Sequence, residues 1–331
     1  MSFNAYALVA GVTATSMLAL GATLPNLGAT ANAGATASAS TTLDAPKVSF
    51  AAPPHMVLGQ PFEVTVEAVA GKNGAPLAGW IVSPAAFLVD GVPLGERTNE
   101  GLLQLPGGAR LSATFDLVPH MDAPAEAFEL DFAKGLSESG AIGVTVHRPA
   151  PEGLDFMAME DGELGNYRVL METNQGYMVL EMWPDRAPNH VKNFLDLVST
   201  GFYDGIIFHR VIEGFMIQGG DPDGNGGGGN SRRVRAEFSD AKHVRGVLSA
   251  ARTQDPNSAT SQFFVMHADN PGLDGRYSAF GMLVDGFDTL DAIATTKCIS
   301  TSPDPRAGAE SPLQRQIIKR AVVVMAPDSG E

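Results

Sequence analysis

Chemistry in a chain of this kind needs one of a few side-chain arrangements, and most of them are missing. The seven histidines stand singly, with no HxH or HExxH pair to hold a transition metal. The one cysteine, Cys298, has no partner for a disulfide or a thiolate zinc site, and it reads as a small apolar residue. Asp221-Pro222-Asp223-Gly224-Asn225-Gly226 has the opening of a calcium loop, but the twelfth position is Arg232, where a bidentate Glu is required. Residues 224–229 hold five glycines in six positions and lack the Gly-Lys-Ser/Thr ending of a phosphate loop, so they read as a turn. Neither a metal nor a cofactor is expected. What remains is one dense passage, Phe208-His209-Arg210-Val211-Ile212-Glu213-Gly214-Phe215-Met216-Ile217-Gln218-Gly219-Gly220-Asp221. Taken singly, Phe215 and Met216 read as core, and Arg210 beside His209 reads as a surface pair.

Three further blocks change that reading. They are Ser249-Ala250-Ala251-Arg252, Asn257-Ser258-Ala259-Thr260-Ser261-Gln262-Phe263-Phe264 and Leu273-Asp274-Gly275-Arg276-Tyr277-Ser278-Ala279-Phe280-Gly281. With the first passage, in this order and at this spacing, they resemble the signature of the cyclophilins. The resemblance runs from about residue 167 to 325, roughly half the chain. It implies a closed eight-stranded antiparallel barrel with two helices, an outer peptide groove, and peptidyl-prolyl cis-trans isomerase activity on X-Pro bonds.

The chemistry that this implies can be followed from first principles. Resonance between nitrogen and carbonyl sets a barrier of ~18–20 kcal/mol to rotation about a peptide bond, and uncatalysed X-Pro exchange takes tens of seconds or more. No covalent bond need break. The catalyst must stabilise the twisted state, in which the nitrogen regains a lone pair. A fixed guanidinium can donate to that lone pair while gaining little from the planar ground state, and such differential binding is what catalysis requires. By the resemblance, Arg210 is this group, and Phe215, Met216, Phe264 and Leu273 line the slot for the proline ring. Gln218 and the Ala251–Arg252 backbone hold the substrate main chain, and Gln262 is a further groove residue. Tyr277 stands where many members carry His, Arg252 where many carry Asn, and Gly272 where many carry Trp. The last removes a flat wall and should weaken binding of cyclosporin-like macrocycles.

These residues need elements to carry them. Residues 169–172 and 178–182 read as strands joined across Thr173-Asn174-Gln175-Gly176, a hairpin-type turn. Pro188 suits the first turn of a helix whose Val191, Phe194, Leu195 and Val198 fall at i, i+3, i+4 and i+7, with Gly201 where a terminating glycine belongs. Short strands are expected at 206–210, 215–218, 246–250, 263–266 and 279–283, and a second helix at 287–294. Residues 46–148 instead show period two. Phe62, Val64, Val66 and Ala68 alternate with polar residues, as do Leu111, Ala113, Phe115 and Leu117, then Phe128, Leu130 and Phe132, then Ile142, Val144 and Val146. That pattern suggests an Ig-like β-sandwich, in which no catalytic motif is found. Residues 149–166, with their Pro, Gly and acidic side chains, read as the inter-domain linker, and 327–331 as a tail.

The first 45 residues hold no Lys or Arg. Residues 5–24 are nearly all apolar or small, and Ala31-Asn32-Ala33 offers a small-x-small cleavage site. Residues 1–33 therefore read first as a cleaved export signal, second as an anchor formed by 5–24, and third as a buried helix. Residues 34–45 follow as a flexible linker. With a formal net charge of −15, the chain is a poor nucleic-acid partner. The expected ligands are proline-containing polypeptides of the periplasm or extracellular space, with protein or envelope contact through the N-terminal domain. The alternative is a non-catalytic scaffold that binds Pro-peptides and adheres through its sandwich.

Overall fold

The structure is a computed structural model. It describes residues 142–300 and 310–327 without a break and, upstream of them, residues 47–51, 53–60 and a series of strands. The chain divides into two compact units, Met1–Val146 and His147–Glu331. The first holds β1 (Lys47–Ala51), β2 (His55–Val57), β3 (Phe62–Val69), β4 (Trp80–Val82), β5 (Phe87–Val89), β6 (Val92–Pro93), β7 (Arg110–Pro119), β8 (Phe128–Ala133) and β9 (Ile142–His147). They pair as two sheets, ordered β1-β3-β7-β5-β6 and β2-β9-β8-β4. The alternation seen in the sequence becomes register: Phe62 pairs with Leu117, Val64 with Phe115, Val66 with Ala113 and Ala68 with Leu111. How the two sheets face one another, and with it the sandwich expected for 46–148, lies outside the described residues. So do the export signal or anchor of 1–33, the linker of 34–45 and residues 328–331.

The second unit holds β10 (Tyr167–Thr173), β11 (Gly176–Met182), α1 (Pro188–Ser199), β12 (Arg210–Ile212), β13 (Met216–Gly219), β14 (Val247–Ala250), β15 (Phe263–Met266), β16 (Ala279–Asp285), α2 (Phe287–Ala294), β17 (Cys298–Ile299), β18 (Ser311–Pro312) and β19 (Ile318–Met325). Eight of these strands form one curled antiparallel sheet, ordered β12-β13-β15-β14-β16-β11-β10-β19. The ladder itself does not close, since β12 and β19 are its two ends. A short seam spans them: an isolated bridge joins Ile207 to Ile317, Phe208 N–H donates to the Gln316 carbonyl at 2.8 Å, and Ile318 N–H donates to the Ile206 carbonyl at 2.8 Å. This seam is why residues 206–209, expected as strand, are not part of the ladder. Their backbone groups pair across this seam with residues 316–318, while Phe208 is fully buried. The strand begins only at Arg210.

Helix α1 covers the inner face of the sheet. Its four spaced apolar residues, Val191, Phe194, Leu195 and Val198, are all buried. The Phe194 ring lies 5.3 Å from Tyr203, 5.4 Å from Phe263 and 5.3 Å from Phe280, so helix and sheet lock through aromatic edges. Gly201 ends the helix at φ +70°, with its N–H bonded to the Val198 carbonyl. Helix α2 falls where the sequence placed it.

Residues 149–166 are not a free linker. Phe156 and Leu164 are 1% and 0% exposed and belong to the main core, with Phe156 edge-on to Tyr167 at 5.2 Å. Ala150 N–H donates to the Val323 carbonyl at 3.0 Å, and Met325 N–H donates to the Arg148 carbonyl at 2.8 Å. The segment is polar because it runs over the surface, but its two apolar anchors bury enough area to hold it there. Phe156→Ala should therefore lower the stability of the full chain by about 3–5 kcal/mol in urea unfolding, as for a core phenylalanine. A loss under about 0.5 kcal/mol, the level of a surface substitution, would restore the linker reading.

Candidate functional site

The site is built on the outer face of the sheet, and strand alternation places it there. Along β13, β14 and β15, Ile217, Leu248, Phe263 and Val265 join the main core, while Met216, Val247, Phe264 and Met266 form a second cluster on the opposite face. Phe215, Leu273, Tyr277 and Ile212 pack against that cluster while half-buried. Every residue of β14 and β15 is buried. This part of the sheet is apolar on both sides, which a strand with one wet face would not be.

One row of residues crosses four strands in register. Arg210 pairs with Gln218, Gln218 with Phe264, and Phe264 with Ser249. With neighbouring strands roughly 4.8 Å apart, a guanidinium, an amide and an aromatic ring stand side by side on one surface. Above them lies a pocket of about 130 Å³ lined by Arg210, Phe215, Met216, Gln218, Ala251, Arg252, Phe264, Leu273 and Tyr277. Of the site residues named from the sequence, Gln262 alone is not in the lining. It sits behind Gln218, accepting from Gln218 Nε2 at 2.9 Å and donating to the carbonyls of Gly228 at 2.7 Å and Gly226 at 3.1 Å. It fixes the Gln218 amide and ties the glycine-rich turn to the site.

Each polar wall residue is held by neighbours. Arg210 Nε donates to Glu310 Oε2 at 2.5 Å, and the ion pair leaves both terminal nitrogens of Arg210 without a protein partner among the described residues. Sequence reasoning missed Glu310. It lies 100 residues from Arg210 and outside the four blocks, and its backbone carbonyl also accepts from Val211 N–H at 2.7 Å. Arg252 is anchored differently. Its guanidinium lies 4.5 Å from the Tyr277 ring centroid and donates to the carbonyls of Thr253 at 2.8 Å and Arg276 at 2.9 Å. Behind the aromatic wall, His243 stacks on Phe264 with ring centroids 6.2 Å apart and meets Tyr277 edge-on at 6.5 Å. Its Nε2 faces Ser249 Oγ at 3.1 Å, and Ser249 Oγ donates onward to the Ser278 carbonyl at 3.0 Å.

The stretch that resembled a calcium loop has another use. Asp221 is 1% exposed, and its carboxylate accepts from the N–H groups of Asp223 at 2.8 Å, Asn225 at 3.0 Å and Gly226 at 2.6 Å. Burial pushes this carboxyl up, but the backbone donors outweigh burial and hold it below the usual range. Asp221 thus spends its oxygens on its own turn. Gly220 makes the bend into that turn at φ +84°, where a Cβ would collide with the Ser261 carbonyl. Among the described residues no cluster of His, Cys, Asp or Glu is arranged to hold a metal ion.

Comparison with known proteins identifies the family. The family model described as "Cyclophilin type peptidyl-prolyl cis-trans isomerase/CLD" matches residues 168–323. The chain is 44% identical over 155 residues to peptidyl-prolyl cis-trans isomerase CYP18-1 of Arabidopsis thaliana, covering 45% of this chain and 94% of that protein. It is 44% identical over 130 residues to peptidyl-prolyl cis-trans isomerase-like 3 of Homo sapiens, covering 38% of this chain and 80% of that protein. A crystal structure of a cyclophilin-type isomerase from Cryptosporidium parvum aligns at 37% identity over 48% of this chain and 98% of that one, with a TM-score of 0.44. The chain belongs to the cyclophilin-type peptidyl-prolyl cis-trans isomerases. The matching region is its C-terminal unit, and that unit is a peptidyl-prolyl isomerase.

Two histidines near the site give the unit a pH signature. Burial lowers the pKa of His209, outweighing the Asp221 carboxylate that raises it, while neighbouring Arg210 lowers it further. Burial likewise lowers that of His243, against the pull of Asp274. The unfolded chain therefore binds protons near pH 6.5 that the folded chain does not, and stability must fall as pH drops below about 6.5. The lowered carboxyls of Asp221, Glu237, Asp274 and Asp291 act only at lower pH, below about 4. The urea midpoint should decline between about pH 6.5 and 5, and His243→Gln should flatten part of that decline. A wild-type midpoint independent of pH over this window would contradict the assignment.

Proposed function

We propose that the pocket over the Arg210–Gln218–Phe264 row is where X-Pro bonds are isomerised, and that Arg210 stabilises the twisted bond without covalent chemistry. The observation that carries this reading is the Arg210–Glu310 pair. It holds the guanidinium through Nε and leaves the terminal N–H groups for a bound peptide. Phe215, Met216, Phe264 and Leu273 form the apolar side that takes the proline ring, and Gln218 with the Ala251–Arg252 backbone holds the flanking main chain. As the bond twists, the prolyl nitrogen becomes pyramidal and can accept a hydrogen bond that the planar amide cannot. A donor already fixed by Glu310 need not reorganise at that moment, so its gain is concentrated in the transition state.

The substrates in this reading are X-Pro segments of exported proteins. The support is the leader-like composition of residues 1–33, with a cleaved signal preferred to an anchor formed by residues 5–24. Among the described residues no helix is long and apolar enough to cross a membrane. The N-terminal unit, which shows no catalytic motif, places the isomerase near clients or the cell envelope.

Two measurements test the site. Arg210→Ala should reduce kcat/KM on a short X-Pro peptide by about 10²–10³, the scale of one preorganised donor, with little change in folding. Activity within a factor of two of wild type would remove Arg210 from the mechanism. Cyclosporin A should inhibit weakly, because Gly272 is exposed and leaves that side of the groove without a wall. Gly272→Trp should tighten inhibition at least about tenfold, or roughly 1.4 kcal/mol. Tight inhibition of the wild type would show that another side chain fills the space.

A further inference from the structure

The wall of this groove includes an arginine, Arg252, with no carboxylate partner among the described residues, although the chain carries a formal net charge of −15. Arg252 lines the pocket just beyond the end of β14, and in the strand order β12-β13-β15-β14 it is three strands from Arg210. Arg252 follows the strand that carries Ser249, the far member of the row, and that strand is three inter-strand steps of roughly 4.8 Å from the one that carries Arg210. Arg276 is exposed, and its carbonyl accepts from Arg252. Arg233 and Arg235 are also exposed, and they flank Val234, whose N–H bonds to Ala259 on the loop that follows Arg252. Among the described residues Arg252, Arg235 and Arg276 have no carboxylate partner, and Arg233 reaches Asp255 only at 4.0 Å. Arg210, Arg186, Arg232 and Arg245, by contrast, each have a carboxylate partner within 2.7 Å.

The charge of Arg252 is also immobilised. Its terminal nitrogens are held by the backbone carbonyls of Thr253, Gln254 and Arg276, and its guanidinium lies on the Tyr277 ring. Carbonyls and an aromatic face orient a cation without cancelling it. Arg252 Nε is buried and has no hydrogen-bond partner. A flexible lysine would spend part of its time turned into solvent, whereas this guanidinium is held in place.

We propose that this rim makes the isomerase selective for X-Pro segments with an Asp or Glu within two residues of the proline. The proposal rests on the pocket being the X-Pro site. An acidic side chain beside the proline meets the fixed positive charge, and a basic one is repelled by it. Charge complementarity at a rim of this kind works through encounter and register, so it is weakened by salt.

The test is kcat/KM of the full chain on tetrapeptides that differ only beside the proline, carrying Glu, Ala or Lys before it or after it. Glu should exceed Lys by at least about threefold at low ionic strength, and the ratio should shrink toward one in about 0.5 M NaCl. Arg252→Ala should remove most of the preference and Arg252→Lys should restore part of it. Arg276→Ala, whose side chain is exposed and makes no hydrogen bond or ion pair among the described residues, should weaken the preference without disturbing the fold. Equal rates for Glu and Lys peptides in the wild type, or an unchanged ratio in both alanine variants, would overturn the proposal. Arg210→Ala assayed alongside separates this from the underlying reading. If it abolishes turnover of the Ala peptide while the wild type shows no charge preference, the rim proposal alone fails. If it leaves that turnover intact, the assignment of the pocket fails.

Discussion

The outer cluster of Met216, Val247, Phe264 and Met266 exists because two adjacent strands, β14 and β15, are buried on both faces and β13 turns Met216 outward beside them. A sheet with one wet face could close the core around Phe194 and Phe263 just as well, but it would offer no dry surface outside. Here the strand period of two sends Phe263 inward and Phe264 outward, Ile217 inward and Met216 outward. The same parity puts Arg210 and Gln218 on the outer side of that apolar floor, one strand apart. A shift of register by one residue would bury the guanidinium in the core and expose the aromatic floor to water. The fold and the site are therefore one constraint: the ladder that closes the interior also sets the spacing of the polar row above it.

Around that row, polar groups are held rather than left to sample conformations. Glu310 fixes Arg210, Gln262 fixes Gln218, and Tyr277 with three carbonyls fixes Arg252. His243 supports Phe264 from behind, and burial keeps it neutral at neutral pH. A reaction that breaks no covalent bond needs no group that titrates in the working range. It needs donors that stand still, because reorganisation during the twist would give back what the hydrogen bond contributes. In the proposed reading the site answers that requirement with the Arg210 guanidinium, always charged, whose own partner is a carboxylate outside the four sequence blocks.

Much of this was legible because the relevant signals are local. The helix at Pro188, the hairpin across Thr173–Gly176 and the period of two along Phe62–Val69 and Arg110–Pro119 each follow from spacing within a short window. The four blocks placed nine of ten named residues in the pocket lining. The failures share a cause. Glu310 is brought to Arg210 by the chain's return toward β19, a contact 100 residues long that no local pattern encodes. Residues 149–166 look like a tether because the apolar pair Phe156 and Leu164 is diluted by polar neighbours, yet two anchors suffice when both are fully buried. Residues 206–209 carry a strand-like apolar run, but their partners are the carbonyls and amides of residues 316–318 across the seam, not a ladder strand. Gln262 lies in one of the four blocks but outside the pocket lining, and its hydrogen bonds face Gln218 and the glycine-rich turn.

The central claim is that a single outer row of this sheet both binds and twists the X-Pro bond. NMR tests it most directly, by recording cis-trans exchange of a short Ala-Pro peptide and the backbone amide shifts of the full chain in the same sample. The account predicts accelerated exchange, with the largest shift changes confined to Arg210, Gln218, Ala251, Arg252 and Phe264 and their immediate neighbours. Accelerated exchange with the shifts clustered on another face of the unit, and this row unperturbed, would contradict it.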